Sequence, residues 1–341
     1  MGALEPFLFE PILKHRAWGG DRLRHFGKRV PVGARIGESW ELADLPDTIL
    51  DGRSHVACGP FAGATLRQIL TEHRRAVLGD TPLSPEGAFP LLVKFLDAHE
   101  HLSVQVHPDA AYAASHPDSH LKTEAWVILE AEAGAVVYRG VRPEIDREQF
   151  FDDLNDFEGD GVVPHLTRIH VERGDCIYLP SGICHALGAG ILAAEVQTPS
   201  DTTFRVFDWN RNDLARPLHV EQARRCMRFG ASQEDGIPGV VRMAEGPRLR
   251  SEGSVVHPLC STEFFSIDWV DAMPSAHIPI ETAGRPVIWS VVGGSAELRG
   301  PQGKALRLRI GDTALMPAAL DGWTATFVDR STVLRTVVPS R

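Results

Sequence analysis

GDCIYLPSGICH, residues 174–185, is the stretch that decides the fold. Gly174 and Asp175 signal a turn feeding an apolar run, Cys176 to Leu179. Pro180 closes that strand because it has no N–H to give to a ladder, and Gly182 permits the next turn, which delivers His185. The same grammar returns downstream as Gly311-Asp312, TALM and Pro317, with Gly322 where the counterpart of His185 would stand. A strand–turn–strand unit used twice in one chain predicts a mainly β protein of two jelly-roll barrels with a few short helices. The second barrel, lacking the histidine, is expected to hold no metal.

Working outward, 31 glycines and 24 prolines punctuate the chain in the manner of many short strands. Strand candidates are PLLVKFLDA (90–98), HLSVQVH (101–107), EAWVILEA (124–131), AVVYRGV (135–141), ILAAEVQT (191–198) and TTFRVFDW (202–209). Helical periodicity is local. Leu66, Ile69, Leu70, Val77 and Leu78 share one face of a helix over 65–78, and shorter patterns lie at 108–114, 147–154 and 220–229. A seam rich in Gly, Pro and charge runs from Gly230 to Gly253, and a second strand-rich block follows it. The expected division is a catalytic, metal-binding unit with helical elements over 1–232 and a degenerate second barrel over 254–341.

Length and composition narrow the function. At 341 residues the chain has room for about two domains, and 43% hydrophobic with 23% charged residues excludes wholesale disorder. The net charge of −10, without a basic run, argues against nucleic acid or an anionic membrane surface as the main partner. An anionic ligand must therefore be drawn by local cations. The first 20 residues have neither a basic start nor an unbroken apolar core, and the five cysteines contain no C-x-x-C pair. The expectation is a cytoplasmic protein, monomeric or a weak homodimer.

Chemistry-bearing residues cluster on the strand candidates. Side chains alternate along a strand, so Ser103, Gln105 and His107 share a face while Leu102, Val104 and Val106 turn to the core. Lys122 and Glu124 likewise share a face. A lone histidine is ordinarily a satisfied core residue. With the motif around His185 and these partners, Gln105, His107, Glu124 and His185 form instead a mixed nitrogen and oxygen set suited to Zn²⁺ first, with Fe, Mn or Co as alternatives. Gln105 could equally serve as a hydrogen-bonding residue beside a three-ligand ion. Lys94 sits inside an apolar run, either snorkelling or facing a solvated pocket. Glu195 and Gln197 share a face, and Asp201 with Arg205 could be no more than a structural ion pair.

The motif at 174–185 resembles the second signature of the cupin jelly rolls. Together with WGG (18–20), GESWEL (37–42), PLLVKFLDA, HLSVQVHPD, KTEAW and EVQTPSDTTFRVFDW, it makes residues 10–211 resemble the short bacterial form of the type I mannose-6-phosphate isomerases. The resemblance implies one Zn²⁺ per chain on Gln105, His107, Glu124 and His185, and a small sugar phosphate as partner. It implies Arg205 as a catalytic arginine, with Lys94, Ser103, Lys122, Glu195 and Asp201 around the substrate. Phe204 and Phe207 depart from it, standing where that family often has tyrosines.

Aldose–ketose isomerisation moves a proton between C2 and C1 through a cis-enediol, and needs a base, an oxyanion partner and a cation for the phosphate. On this expectation Glu195 is the base, with Lys122 the alternative, and Arg205 stabilises the enediolate. Asp201 stands beside that arginine, and Lys94, Lys122 and Ser103 position the substrate. Two other classes fit a metal-bearing cupin. One is a non-catalytic sensor of sugars or sugar phosphates; the other is an Fe(II) oxygenase with two histidines and a carboxylate. Glu195, Asp201 and Arg205 speak against the first, and Gln105 with the neighbouring lysines against the second.

Overall fold

The computed structural model describes residues 4–156, 161–211, 213–233 and 236–339. Strands dominate, arranged in four sheets. A seven-stranded antiparallel sheet runs in the order Val240–Val241, Cys176–Leu179, Glu124–Ala131, Ile191–Gln197, Leu92–Ala98, Ile12–Gly20, Ile36–Leu42. Facing it is a five-stranded sheet in the order Phe204–Phe207, Val104–Val106, His185–Leu187, Val136–Val141, Leu166–His170.

Alternation explains why the central strands of the large sheet are buried on both faces. Leu96, Ala98, Trp126, Ile128, Ile177 and Ala193 point between the two sheets and pack with Val137 and Leu187. Their neighbours Val93, Phe95, Ala125, Val127, Leu129, Leu192 and Ala194 point the other way. That outer face packs on the helix Leu66–Leu78 and on Ile267, Trp269, Ile288, Leu315 and Leu334 of the C-terminal strands. The helix starts at a capping box, Thr65 accepting from the Gln68 amide while the Gln68 side chain accepts from the Thr65 N–H. The pattern at 220–229 ends earlier than its periodicity predicts, since the helix stops at Cys226.

The C-terminal strands form a seven-stranded and a four-stranded sheet around a core that includes Trp289, Val291, Leu298, Leu308, Met316 and Phe327. Phe7–Leu8 pairs with Thr313–Met316, so the first strand of the chain completes a sheet made of the last ones. Two stretches within the polar seam pair as strands: Val240–Val241 with Cys176–Ile177, and Leu249–Ser251 with Ser254–Val256. Lys28, buried, ties the two halves by donating to Glu41 at 2.6 Å and to the Gly311 carbonyl at 2.5 Å.

The repeated Gly-Asp unit is one structure used twice. Gly174 and Gly311 have φ of 92° and 86°, which L side chains rarely adopt. Asp175 and Asp312 each accept the N–H of the residue three earlier, at 2.9 and 2.7 Å. Among the described residues no helix is long and apolar enough to cross a membrane.

Candidate metal centre and cavity

Adjacent strands set the site. Gln105 lies opposite His185 on one side and Arg205 on the other, and Glu124 lies opposite Gln197 on the facing sheet. Period-two alternation then carries Glu124, Trp126, Lys94, Glu195 and Gln197 inward, and a cross-strand row Trp40, Lys94, Glu195, Trp126 spans four neighbouring strands.

His107, Glu124 and His185 bring one ligand atom each to within 4.8 Å of one another, all buried. Glu124 Oε2 lies 3.3 Å from His107 Nε2, and Oε1 lies 3.2 Å from His185 Nε2. His107 Nδ1 is 3.1 Å from the Thr202 carbonyl and His185 Nδ1 is 2.8 Å from that of Ile183. Those contacts assign the proton of each ring to Nδ1 and leave both Nε2 lone pairs facing a carboxylate. Burial, with the Lys122 charge next, pushes His107 down to about 3, so its ring is neutral at physiological pH. Burial alone would raise the Glu124 carboxyl, but Lys122, 2.8 Å away, holds it well below the usual carboxylate range. Acceptors therefore converge on acceptors: both Glu124 oxygens and His107 Nε2 are buried without a hydrogen bond, with Oε2 held only by the Lys122 ion pair. Lys122 balances the carboxylate charge from one side, but the lone pairs of two imidazoles and a carboxylate still converge, a donor set that suits a borderline divalent metal. The Nδ1–carbonyl contacts also fix each ring for that task.

Gln105 borders this centre, with Nε2 3.3 Å from His185 Nε2 and Oε1 3.5 Å from Ser103 Oγ. Its amide caps the His185 lone pair in this orientation. Exchange of the amide nitrogen and oxygen would aim the carbonyl at the centre instead.

Beside the centre opens a cavity of about 450 Å³. It is lined by Lys94, Ser103, Gln105, Lys122, Glu195, Asp201 and Arg205, all singled out from sequence. Arg16, Glu38, Thr203, Asp213 and Arg216 also line it, and the sequence reading gave none of them a role. Glu38 lies in the quoted GESWEL stretch, so that match was the available signal. Arg16 gave no signal beyond its place two residues before Trp18.

The structural ion pair weighed as an alternative from the sequence is not formed: Arg205 and Asp201 make no ion pair among the described residues. Asp201 is exposed, while Arg205 donates from an Nη to the Pro217 carbonyl at 2.8 Å and its buried Nε has no partner. The alternative of a purely structural pair fails because Asp201 sits in the loop before the strand while Arg205 is on the strand and turns to the 217–219 segment. Burial, with repulsion from Arg216, lowers the Arg205 pKa, as expected for a guanidinium short of an anion. Lys94 is fully engaged, 2.9 Å from Glu195 Oε1 and 2.7 Å from Gln197 Oε1. Burial would lower its pKa, but Glu195 and Glu38 raise it, so it stays an ammonium. Trp126 Nε1 donates to the other Glu195 oxygen at 2.9 Å. Phe204 and Phe207 turn to an apolar cluster with Tyr112 and Trp209 rather than to the cavity, so hydroxyls there would not line it.

The sequence model of Phosphomannose isomerase type I, catalytic domain, matches residues 7–135. A mannose-6-phosphate isomerase of Streptococcus mutans is 34% identical over 326 residues, 94% of this chain and 94% of that protein. Mannose-6-phosphate isomerase ManA of Bacillus subtilis is 40% identical over 224 residues, 64% of this chain and 67% of that one. Among solved structures, a mannose 6-phosphate isomerase from Bacillus subtilis superposes with a TM-score of 0.83 at 31% identity, covering 98% of this chain and 99% of that one.

Proposed function

This chain belongs to the type I mannose-6-phosphate isomerases, and from that premise we propose that it interconverts mannose 6-phosphate and fructose 6-phosphate through a cis-enediol, as a Zn²⁺-dependent cytoplasmic enzyme. The observation that carries the reading is the convergence of buried lone pairs of His107, Glu124 and His185 beside a cavity that also presents the unpartnered Nε of Arg205. A set of metal ligands and a guanidinium with an unused N–H on one cavity are what an enediolate and a phosphate ester require.

His107, Glu124 and His185 would hold the metal, with Gln105 as a fourth ligand once its amide oxygen is turned inward. Bound there, the ion supplies a Lewis acid that polarises the carbonyl and orders the sugar hydroxyls. Arg205 donates to the oxyanion that develops at C1 or C2, a group present only in the transition state and intermediate. Glu195 carries the proton between C2 and C1, fixed by Lys94 and Trp126, and its protonation releases Lys94 toward the sugar. Lys122 balances Glu124 when the carbonyl is engaged and is the alternative base. Ser103 and Lys94 border the hydroxyl-bearing face, and Asp201 adds an acceptor at the mouth.

The test is a coupled assay for fructose 6-phosphate formed from mannose 6-phosphate by metal-loaded protein, with oxygen uptake followed in parallel. Turnover without oxygen uptake supports the isomerase. Phosphate-ester binding without turnover would identify a sensor, and oxygen consumption an oxygenase.

A further inference from the structure

Two carboxylates in the cavity wall are held in the same way, each by an indole and a cation. Glu195 takes Trp126 and Lys94. Glu38 takes Trp40 Nε1 at 2.6 Å and a bidentate Arg16, at 2.7 and 3.2 Å. The two units meet at Lys94, whose ammonium lies 5.3 Å from the centre of the Trp40 ring and feels the charges of both acids. Burial would raise the Glu38 carboxyl, yet Lys94 and Arg16 bring it down to about 2, so it is ionised throughout the physiological range. Were Arg16 absent, Glu38 would be a buried anion whose strongest remaining cation is Lys94, since Lys14 across the strand is held by the Leu50 and Asp51 carbonyls, and it would compete with Glu195 for Lys94.

The chain makes room for Arg16. A Cβ on Gly37 would fall 2.5 Å from Arg16 Cβ and 2.7 Å from its Cγ, so the arginine stem crosses the neighbouring strand only because position 37 is glycine. The neutrality of the pair also preserves a charge balance. Five cationic and four carboxylate side chains line the cavity, a small positive excess in a protein of net charge −10. Without Arg16, with Glu38 still ionised, that excess disappears.

We propose that Arg16 is a positioning residue: by neutralising Glu38 it leaves Lys94 to Glu195 and keeps the cavity wall cationic toward the phosphate group of the substrate. The inference deepens the isomerase reading and rests on it for the identity of the anion. One uncompensated charge on a cavity wall shifts the binding of an anion by about tenfold.

The experiment uses metal-loaded full-length protein as wild type, Arg16→Gln, Arg16→Lys and the double variant Arg16→Gln/Glu38→Gln. It measures kcat and KM for mannose 6-phosphate and, by calorimetric titration, the Kd for inorganic phosphate. Arg16→Gln should raise KM and the phosphate Kd about tenfold, with kcat changed less than about threefold. Arg16→Lys should lie close to wild type. The double variant should return both constants to within about threefold of wild type, because removing the acid with the base restores the charge. A purely structural pair would lower the melting temperature of Arg16→Gln but leave both constants of the folded protein unchanged, so an Arg16→Gln protein with unchanged constants, or a double variant as impaired as Arg16→Gln, overturns the proposal. A wild type that does not turn over mannose 6-phosphate refutes the isomerase reading instead, and the phosphate titration still decides the role of Arg16.

Discussion

Replacing Arg205 with alanine separates a catalytic arginine from a structural one, because its contacts make the stability cost small. The guanidinium donates to one carbonyl, that of Pro217, a bond worth about 1 kcal/mol. Against that loss, truncation removes a buried Nε–H that has no partner, a relief of about 1–3 kcal/mol. No carboxylate is stranded, since Asp201 lies exposed and unpaired with it, so the penalty of about 3–5 kcal/mol for breaking a buried ion pair does not arise. Stability should therefore stay within about 2 kcal/mol of wild type. If Arg205 meets the enediolate, kcat should fall by about 100-fold or more, equivalent to about 2.7 kcal/mol of lost transition-state stabilisation. Arg205→Lys keeps the charge without the planar fork and should recover only part of that. Steady-state kinetics, metal content and melting temperature on the same preparations decide. A folded, metal-loaded Arg205→Ala protein with near-normal kcat would refute the assignment, as would activity lost only in proportion to folded protein.

His107→Ala, Glu124→Ala and His185→Ala should each lose most bound metal by mass spectrometry, and Gln105→Ala less; full occupancy in any of the first three would contradict the ligand set. Glu38 has a folded pKa depressed from 4.5 to about 2, so its contribution is present above about 4.5 and is lost as pH falls toward 2. That loss is about 3 kcal/mol, and urea unfolding of Glu38→Gln should show a correspondingly shallower decline across that window than wild type. Lys28→Met strands Glu41, whose carboxyl burial already raises despite Lys28, and should destabilise by about 3–5 kcal/mol at neutral pH. The deficit should shrink in acid, where Glu41 takes up a proton; equal deficits at both pH values would show that packing, not charge, sets it.

Much of the fold can be read from the sequence because the pleat writes itself into the chain. Lys94, Leu96 and Ala98 against Val93 and Phe95 separate the two faces of one strand, and Gly174-Asp175 with Gly311-Asp312 mark equivalent turns. The His107, Glu124 and His185 set is legible for the same reason, as each occupies an inward position next to a recognisable turn. Arg16 and Glu38 are not, because their meeting depends on the register between Ile12–Gly20 and Ile36–Leu42, which shifts at irregularities that no local pattern encodes. Phe7–Leu8 is equally hidden: two residues carry no periodicity, and their partner strand lies some 300 residues away. Asp201 and Arg205 mislead because proximity in sequence says little once a strand begins between them.

The most direct test of the central claim is turnover of mannose 6-phosphate by one preparation followed through metal removal and return, with metal counted at each stage. Activity should be full with one divalent ion per chain, disappear on chelation while the protein remains folded, and return with stoichiometric Zn²⁺. Apoprotein that isomerises at the original rate, or a fully loaded protein that forms no fructose 6-phosphate, would contradict the account.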